Sequence, residues 1–153
     1  MKKPIFKLIA AGLVILFIII QFFGTDKNNS TVIPVNAIEN HYNVPSDIRG
    51  LLKTSCYDCH SNNTTYPWYN TIQPVKWWLS GHIKEGKEHL NFDEFNSYTV
   101  QKKLHKLDEV VETINNDEMP LRSYTMIHRK ARLSDADKKE IASWVDRVKK
   151  EIQ

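Results

Sequence analysis

The chain has 153 residues, a formal net charge of +3 and 41% hydrophobic residues, which suits one folded domain of modest size behind a short extra segment. Three of its lysines fall within the first seven residues, so the remainder is close to neutral. No stripe of lysine and arginine alternates with aromatic residues, and we therefore expect no nucleic acid among its partners.

The first 23 residues predict a transmembrane signal anchor. Lysines precede an apolar run that continues to Phe23. Counted from Pro4, the segment has about 20 residues and would measure about 30 Å as a helix, which just spans a hydrocarbon core. The positive-inside rule then places everything after Gly24 on the periplasmic side of a bacterial cytoplasmic membrane. A cleaved secretory signal is the alternative, although the residues after Phe23 match a cleavage site poorly.

Residues 24–36 predict a flexible linker, because they are rich in asparagine, serine and threonine and contain Pro34. A chain of this length spans about 20 Å. It leaves residues 37–153 for one domain, and we find no internal repeat in them.

Hydrophobic spacing between residues 37 and 95 predicts two helices separated by a loop. The first helix begins at Pro45-Ser46 and leads into the first cysteine. Residues 61–70 contain asparagine, threonine and proline, which favour a loop. The second helix starts at Pro74 and ends or loosens at Gly86, since glycine weakens a helix interior. A turn or short helix follows at residues 91–95.

Two further helices complete the predicted domain. Apolar residues recur at helical spacing from Val100 to Ile114, and Asn115-Asn116-Asp117 ends that helix. The last helix starts at Ser134, with Asp137 three residues later as an imperfect capping box. No strand is indicated, so we expect an all-α domain.

The pentapeptide Cys56-Tyr57-Asp58-Cys59-His60 is the motif that most directly predicts a functional site. It reads C-x-x-C-H, the attachment signature of a c-type haem. Thiols three residues apart can reach the two vinyl groups of one porphyrin, and helical spacing places His60 on the face of Cys56. We therefore expect one covalent haem c attached through Cys56 and Cys59, with His60 as the proximal iron ligand.

Three other interpretations of this motif stay open at this point. A thioredoxin-like redox pair also uses C-x-x-C, but it expects a βαβ context that the sequence lacks. A zinc site would have to recruit scattered histidines, since the chain has no third cysteine. A structural disulfide would close so short a loop that it would constrain little of the unfolded chain.

Met119 is the predicted distal ligand of the haem iron. It precedes Pro120, which pushes the residue before it toward an extended backbone and lets a loop present the thioether. His82 and His128 are the alternatives, and Met126 lacks the support of a proline. Two arginines flank this segment and are candidates to pair with haem propionates: Arg122 and Arg132.

An ordered set of motifs resembles the small haem-binding domain family of bacterial, cytochrome-c-like proteins. The matching pieces are Cys56-Tyr-Asp-Cys-His60-Ser-Asn, Tyr66-Pro-Trp-Tyr69, Pro74-Val-Lys-Trp77, Glu85-Gly-Lys-Glu-His-Leu-Asn-Phe92, Glu118-Met-Pro120 with Tyr124 and His128, and Leu133-Ser134 leading to Trp144. The resemblance implies a helical domain around a covalent haem c held by Cys56, Cys59 and His60. It also implies that Met119 and His128 occupy positions typical of the family.

These features favour a membrane-tethered electron carrier, rather than an enzyme, with an unknown redox protein as partner. The alternative is a haem-based sensor, or a module that reacts with small ligands or peroxide at an open or labile sixth site. An accessory protein in which the haem is mainly structural is a third class.

Overall fold

The computed structural model describes residues 2–153, with side chains from residue 5 onward, and this part of the chain is helical without a β-strand. Within residues 2–153 there are eight α-helices, in chain order: α1 Lys2–Ile20, α2 Ile38–His41, α3 Ser46–Ser55, α4 Tyr57–His60, α5 Val75–His89, α6 Val100–Asn115, α7 Arg122–Ile127 and α8 Asp135–Ile152. Short 3₁₀ helices lie at Trp68–Thr71, Phe92–Ser97 and Arg129–Ala131. The predicted all-α architecture of the domain is confirmed.

Packing of α8 against α6 and α3 forms the hydrophobic core. Trp144 of α8 is fully buried, and its indole Nε1 donates to the carbonyl oxygen of Asn43 over 3.0 Å. Leu107 of α6, Leu52 of α3 and Phe95 are also buried in this cluster. The core thus fixes the helix that leads into the cysteine motif.

Capping side chains set the starts of α6 and α8. Thr99 accepts a hydrogen bond from the backbone N–H of Lys102 at the start of α6. Ser134 and Asp137 form a reciprocal capping box at the start of α8, as the sequence predicts. Both helices therefore begin within a residue of the predicted positions, where side chains satisfy otherwise unpaired backbone donors.

The prediction that α5 ends or loosens at Gly86 is wrong. The helix continues for three more residues to His89. A Cβ atom built at position 86 would lie 2.7 Å from the carbonyl oxygen of Cys59, so the helix can approach the cysteine motif only without a side chain there. Packing against the motif outweighs the helix cost of about 1 kcal/mol that glycine carries relative to alanine.

The prediction of an N-terminal transmembrane helix is also wrong. Among the described residues, no helix combines the length and the apolar character that a membrane span requires. The N-terminal helix α1 ends at Ile20 rather than at Phe23. Residue 1 of the predicted segment lies outside the described residues.

Residues 24–36, the predicted linker, form specific hydrogen bonds with the loop that follows the cysteine motif. The Asn28 side chain donates to the carbonyl oxygen of Ser61 and to Oγ1 of Thr64, each over 2.9 Å. Lys87 Nζ donates to Asn28 Oδ1 over 2.6 Å. An isolated β-bridge pairs Asn29 with Asn63. The flexibility of the whole segment stays a prediction.

Candidate functional site

The cysteine motif lies at the junction of two short helices. The N–H of Cys56 closes α3 on the carbonyl oxygen of Leu52 over 2.8 Å, and the carbonyl oxygen of Cys56 accepts from the N–H of His60 over 3.0 Å. Cys56 therefore ends one helix and begins the next. This geometry brings both thiols and the imidazole onto a single turn, at the spacing that the sequence predicts.

Both thiols are half-buried and carry no disulfide. Desolvation, with a smaller contribution from Cys59, raises the pKa of Cys56 to about 12. Desolvation, with a smaller contribution from Asp58, raises the pKa of Cys59 to about 11. Redox-active C-x-x-C pairs lower the pKa of the attacking thiol instead. The electrostatics of this turn therefore oppose a thioredoxin-like function.

His60 is oriented by the main chain of a distant segment. Its Nδ1–H donates to the carbonyl oxygen of Leu90 over 2.9 Å. This bond fixes the tautomer and leaves Nε2 as the ring nitrogen able to bind a metal, which is the usual arrangement of a ligating histidine. Burial lowers the pKa of His60 against the opposing effect of the Leu90 bond, so the imidazole is neutral at pH 7.

A cavity of about 530 Å³ opens beside this turn. It lies within the range of about 300–1,000 Å³ that cofactor sites occupy. Its wall includes Cys56, Cys59, His60 and Met119. Apolar side chains from α6 and the neighbouring loops complete much of the lining: Leu90, Phe92, Val110, Ile114, Leu121 and Leu133. Two thiols, a neutral imidazole and a thioether around one largely apolar space are a donor set that fits a haem.

Met119 reaches the cavity from the end of α6. Asp117 adopts the left-handed conformation, with φ of 59°. The N–H of Glu118 donates to the carbonyl oxygen of Thr113 over 3.0 Å, and the N–H of Asp117 donates to that of Ile114 over 3.3 Å. This pair of bonds is a Schellman motif, which turns the chain sharply at a helix end. Met119 follows directly and packs, half-buried, against the hydrophobic core.

The two alternative distal ligands lie in different places. His82 lines the cavity from α5, with its ring 4.3 Å from that of Trp78 and its Nδ1 3.8 Å from Oε2 of Glu85. His128 does not line the cavity. Its Nε2 is hydrogen-bonded to Oη of Tyr69 over 2.6 Å, and its ring stacks on Tyr124.

Three residues of this site escaped the sequence analysis as site residues. Gly86 allows the contact between α5 and Cys59, and Tyr124 lines the cavity from α7. Lys106 also lines the cavity and pairs with Glu109 over 2.6 Å. The two arginines considered for the propionates, Arg122 and Arg132, are exposed and do not line the cavity. Two signals were available in the sequence. A glycine inside an amphipathic helix indicated close packing, and Tyr124 was among the residues that carry the family resemblance.

The zinc interpretation of the motif also loses support. Within the described part of the chain, no group of three or more histidine, cysteine or acidic side chains is arranged to hold a metal ion. A structural zinc site needs four such ligands.

An all-helical domain whose cavity collects these donors defines a haem-binding protein. The comparison with known families agrees, since the family model described as a haem-binding domain matches residues 15–147. The chain belongs to this haem-binding domain family. Comparisons with curated proteins and with solved structures found no match.

Proposed function

We propose that the chain carries one covalent haem c, attached through Cys56 and Cys59, with His60 as proximal and Met119 as distal iron ligand. One observation carries this proposal: all four side chains line the same cavity, and the Leu90 carbonyl holds His60 in the tautomer that leaves Nε2 free.

The function that we propose is electron transfer with a redox protein as partner. A six-coordinate haem iron exchanges one electron without making or breaking a bond, and Met/His ligation favours a high reduction potential. With haem in the cavity, the apolar side chains that line it, such as Phe92 and Ile114, would exclude water and limit reorganisation. Because haem is attached to cysteines on the periplasmic side of bacterial membranes, we propose that location for the domain.

A second candidate is a sensor or peroxide-reactive module, and His82 favours it. This histidine lines the cavity, and Oε2 of Glu85 lies 3.8 Å from its Nδ1, so the two side chains offer an acid–base pair at the cavity wall. If Met119 leaves the iron easily, a small ligand would enter beside His82. The strength of the Met119 bond therefore separates the two candidates.

The first experiment tests covalent attachment. The full chain is produced in a host that matures c-type cytochromes, and its intact mass and pyridine haemochrome spectrum are measured. We expect the mass of one haem above that of the polypeptide and the spectrum of two thioether bonds. The Cys59→Ala variant should give the spectrum of a single thioether bond or lose the haem. A colourless product of polypeptide mass would contradict covalent attachment.

The second experiment tests the distal ligand. We expect a weak far-red charge-transfer band in the ferric protein, which marks methionine bound to iron, and little binding of carbon monoxide to the ferrous protein. Met119→Ala should abolish the band and let carbon monoxide bind. Met126→Ala is the matched control, since this side chain is 64% exposed and should leave both readouts unchanged. A band that survives in Met119→Ala but disappears in His82→Ala would reject Met119.

A further inference from the structure

The hydroxyl group of Tyr124 joins two segments that both line the cavity. Tyr124 lies in α7, five residues after Met119, and its Oη donates to Oδ2 of Asp58 over 2.7 Å. Asp58 stands between the two cysteines, and its Oδ1 accepts from the N–H of Thr65 over 2.9 Å. One carboxylate thus connects the cysteine turn with the loop after it and with the segment that carries Met119.

A second polar contact holds the other end of α7. The Oη of Tyr69 and the Nε2 of His128 are hydrogen-bonded over 2.6 Å. The rings of Tyr124 and His128 stack with their centroids 4.3 Å apart and an angle of 13° between their planes. We refer to Asp58, Tyr69, Tyr124 and His128 together as the polar latch.

Apolar burial contributes little to holding α7 in place. None of its six residues, Arg122–Ile127, is buried, and Met126 and Ile127 are 64% and 63% exposed. A segment with few buried apolar contacts opens locally at low free-energy cost. Polar contacts therefore supply much of the restraint on this helix. They comprise the polar latch, a longer contact of 3.5 Å from Tyr124 Oη to the carbonyl oxygen of Thr54, and a bond of 3.3 Å from Arg132 Nε to the carbonyl oxygen of Thr125.

The donor of the central bond keeps its proton under all ordinary conditions. Desolvation, and then the hydrogen bond to Asp58, raise the pKa of Tyr124 well above its usual range. The hydroxyl therefore remains a donor to the carboxylate at neutral and at moderately alkaline pH. Hydrogen bonds of a neutral donor to a charged acceptor are among the stronger ones in proteins.

We propose that Tyr124 is a positioning residue that holds Met119 at the haem cavity through its hydrogen bond to Asp58. This inference rests on the proposed ligation of iron by Met119. When the bond to Asp58 is lost, α7 separates more often from the cysteine turn and Met119 leaves the iron more often. The consequence is easier access of an external ligand to the distal side.

The test compares Tyr124→Phe with the unmodified ferric, haem-loaded full chain, using added imidazole as the competing ligand. Phenylalanine keeps the ring that stacks on His128 and removes only the hydroxyl group. We expect imidazole to bind about tenfold more tightly, as loss of a hydrogen bond to a charged group implies. Amide protons of residues 121–128 should also exchange faster with solvent. An unchanged imidazole affinity would overturn the proposal.

Tyr66→Phe is the matched control. The Oη of Tyr66 accepts from the N–H of Asn28 over 2.6 Å, so this variant also removes one hydroxyl contact of the loop after the cysteine motif. It does not touch the segment that carries Met119, and we expect its imidazole affinity to equal that of the unmodified chain. Equal increases in both variants would indicate general loosening and would overturn the specific role of Tyr124.

Variants of Asp58 test whether Tyr124 acts through its hydrogen bond to that residue. Asp58→Asn keeps one uncharged side-chain oxygen for two donors, Tyr124 Oη and the N–H of Thr65, and should fall between the unmodified chain and Asp58→Ala. Asp58→Ala removes both bonds and should raise the imidazole affinity at least as much as Tyr124→Phe does. The double variant of Tyr124→Phe and Asp58→Ala should be no looser than Asp58→Ala alone, because both changes remove the same bond between Tyr124 and Asp58. Additive effects would overturn the Asp58 route. If Met119→Ala abolishes the far-red band while Tyr124→Phe leaves the imidazole affinity unchanged, the positioning role of Tyr124 is rejected and iron ligation by Met119 stands. If the band survives in Met119→Ala, iron ligation by Met119 is itself rejected.

Discussion

Gly86 and Cys59 are in backbone contact between α5 and the cysteine turn. A Cβ atom at position 86 would lie 2.7 Å from the carbonyl oxygen of Cys59 and 3.2 Å from its Cβ. Real Cβ atoms essentially never approach a backbone oxygen so closely. The position of one cysteine of the motif therefore depends on the absence of a side chain 27 residues further along the chain.

The first prediction is that Gly86→Ala destabilises the haem-loaded chain by about 1–3 kcal/mol, because α5 must move away from the cysteine turn. Chemical denaturation followed by circular dichroism measures this difference. Gly81→Ala in the same helix is the control, since a Cβ there meets nothing within 4 Å. It should be neutral or stabilise by up to about 1 kcal/mol. Equal behaviour of both variants would contradict the contact.

The second prediction concerns the pH dependence of thiol reactivity in chain produced without haem. Thiolates react with iodoacetamide, and the pKa values of Cys56 and Cys59 are raised to about 12 and about 11. Alkylation should therefore be slow at pH 7 and accelerate up to at least pH 10, as measured by mass spectrometry on the Cys56→Ser and Cys59→Ser variants. Fast modification at pH 7 would show that one thiol is activated.

The same shifts predict how stability depends on pH. Because the folded thiols hold their protons more strongly than the unfolded ones, their contribution is fully present below the unfolded pKa of about 8.5. It is lost as the pH rises toward the folded pKa values. In the haem-free chain the free energy of unfolding should therefore decline above about pH 8.5, and less steeply when both cysteines are replaced by serine. Parallel curves would contradict the burial of the thiols.

The third prediction is that Asp137→Asn weakens the capping box of α8. The Ser134 hydroxyl and backbone N–H lower the pKa of Asp137 below its usual 3.8. Its contribution is therefore present above pH 3.8 and is lost as the pH falls through the folded value. We expect a loss of about 1 kcal/mol at pH 7 that shrinks as the pH falls below 3.8. Asp135 lies two residues earlier in the same turn and lacks the reciprocal bonds, so Asp135→Asn should cost less.

The fourth prediction is that Trp144→Phe destabilises the chain by about 1–3 kcal/mol, since it leaves a void and removes the bond to the Asn43 carbonyl. The unfolding midpoint in guanidinium chloride measures the loss. Trp68→Phe is the control, because this indole is 78% exposed and should change stability by less than about 0.5 kcal/mol. A similar cost at both positions would contradict the central place of Trp144 in the core.

The sequence predicts those parts of the fold that depend on local patterns. Helix α6 follows from apolar spacing, and α8 follows from its capping residues, Ser134 and Asp137. Helix α7 was missed because its six residues bury no side chain and so show no periodic pattern. The transmembrane helix was predicted wrongly because apolar composition continues beyond Ile20, where the helix ends.

The candidate site is likewise predictable from the sequence only where it depends on neighbouring residues. Cys56, Cys59 and His60 are found from five consecutive residues, whereas the partners that orient them come from far along the chain. Leu90 lies 30 residues after His60, and Tyr124 lies 66 residues after Asp58. Every residue type has a main-chain carbonyl, so the hydrogen bond that Leu90 accepts from His60 could not be predicted from the identity of Leu90.

The hydrogen bond from His60 to Leu90 has a consequence for how the folded state can be observed. Leu90 is 7% exposed and belongs to the hydrophobic cluster that also contains Trp144. Under the proposed ligation, a rearrangement of that cluster would rotate the imidazole and alter the visible absorption of the protein. The visible absorption spectrum would then report on how the hydrophobic core is packed.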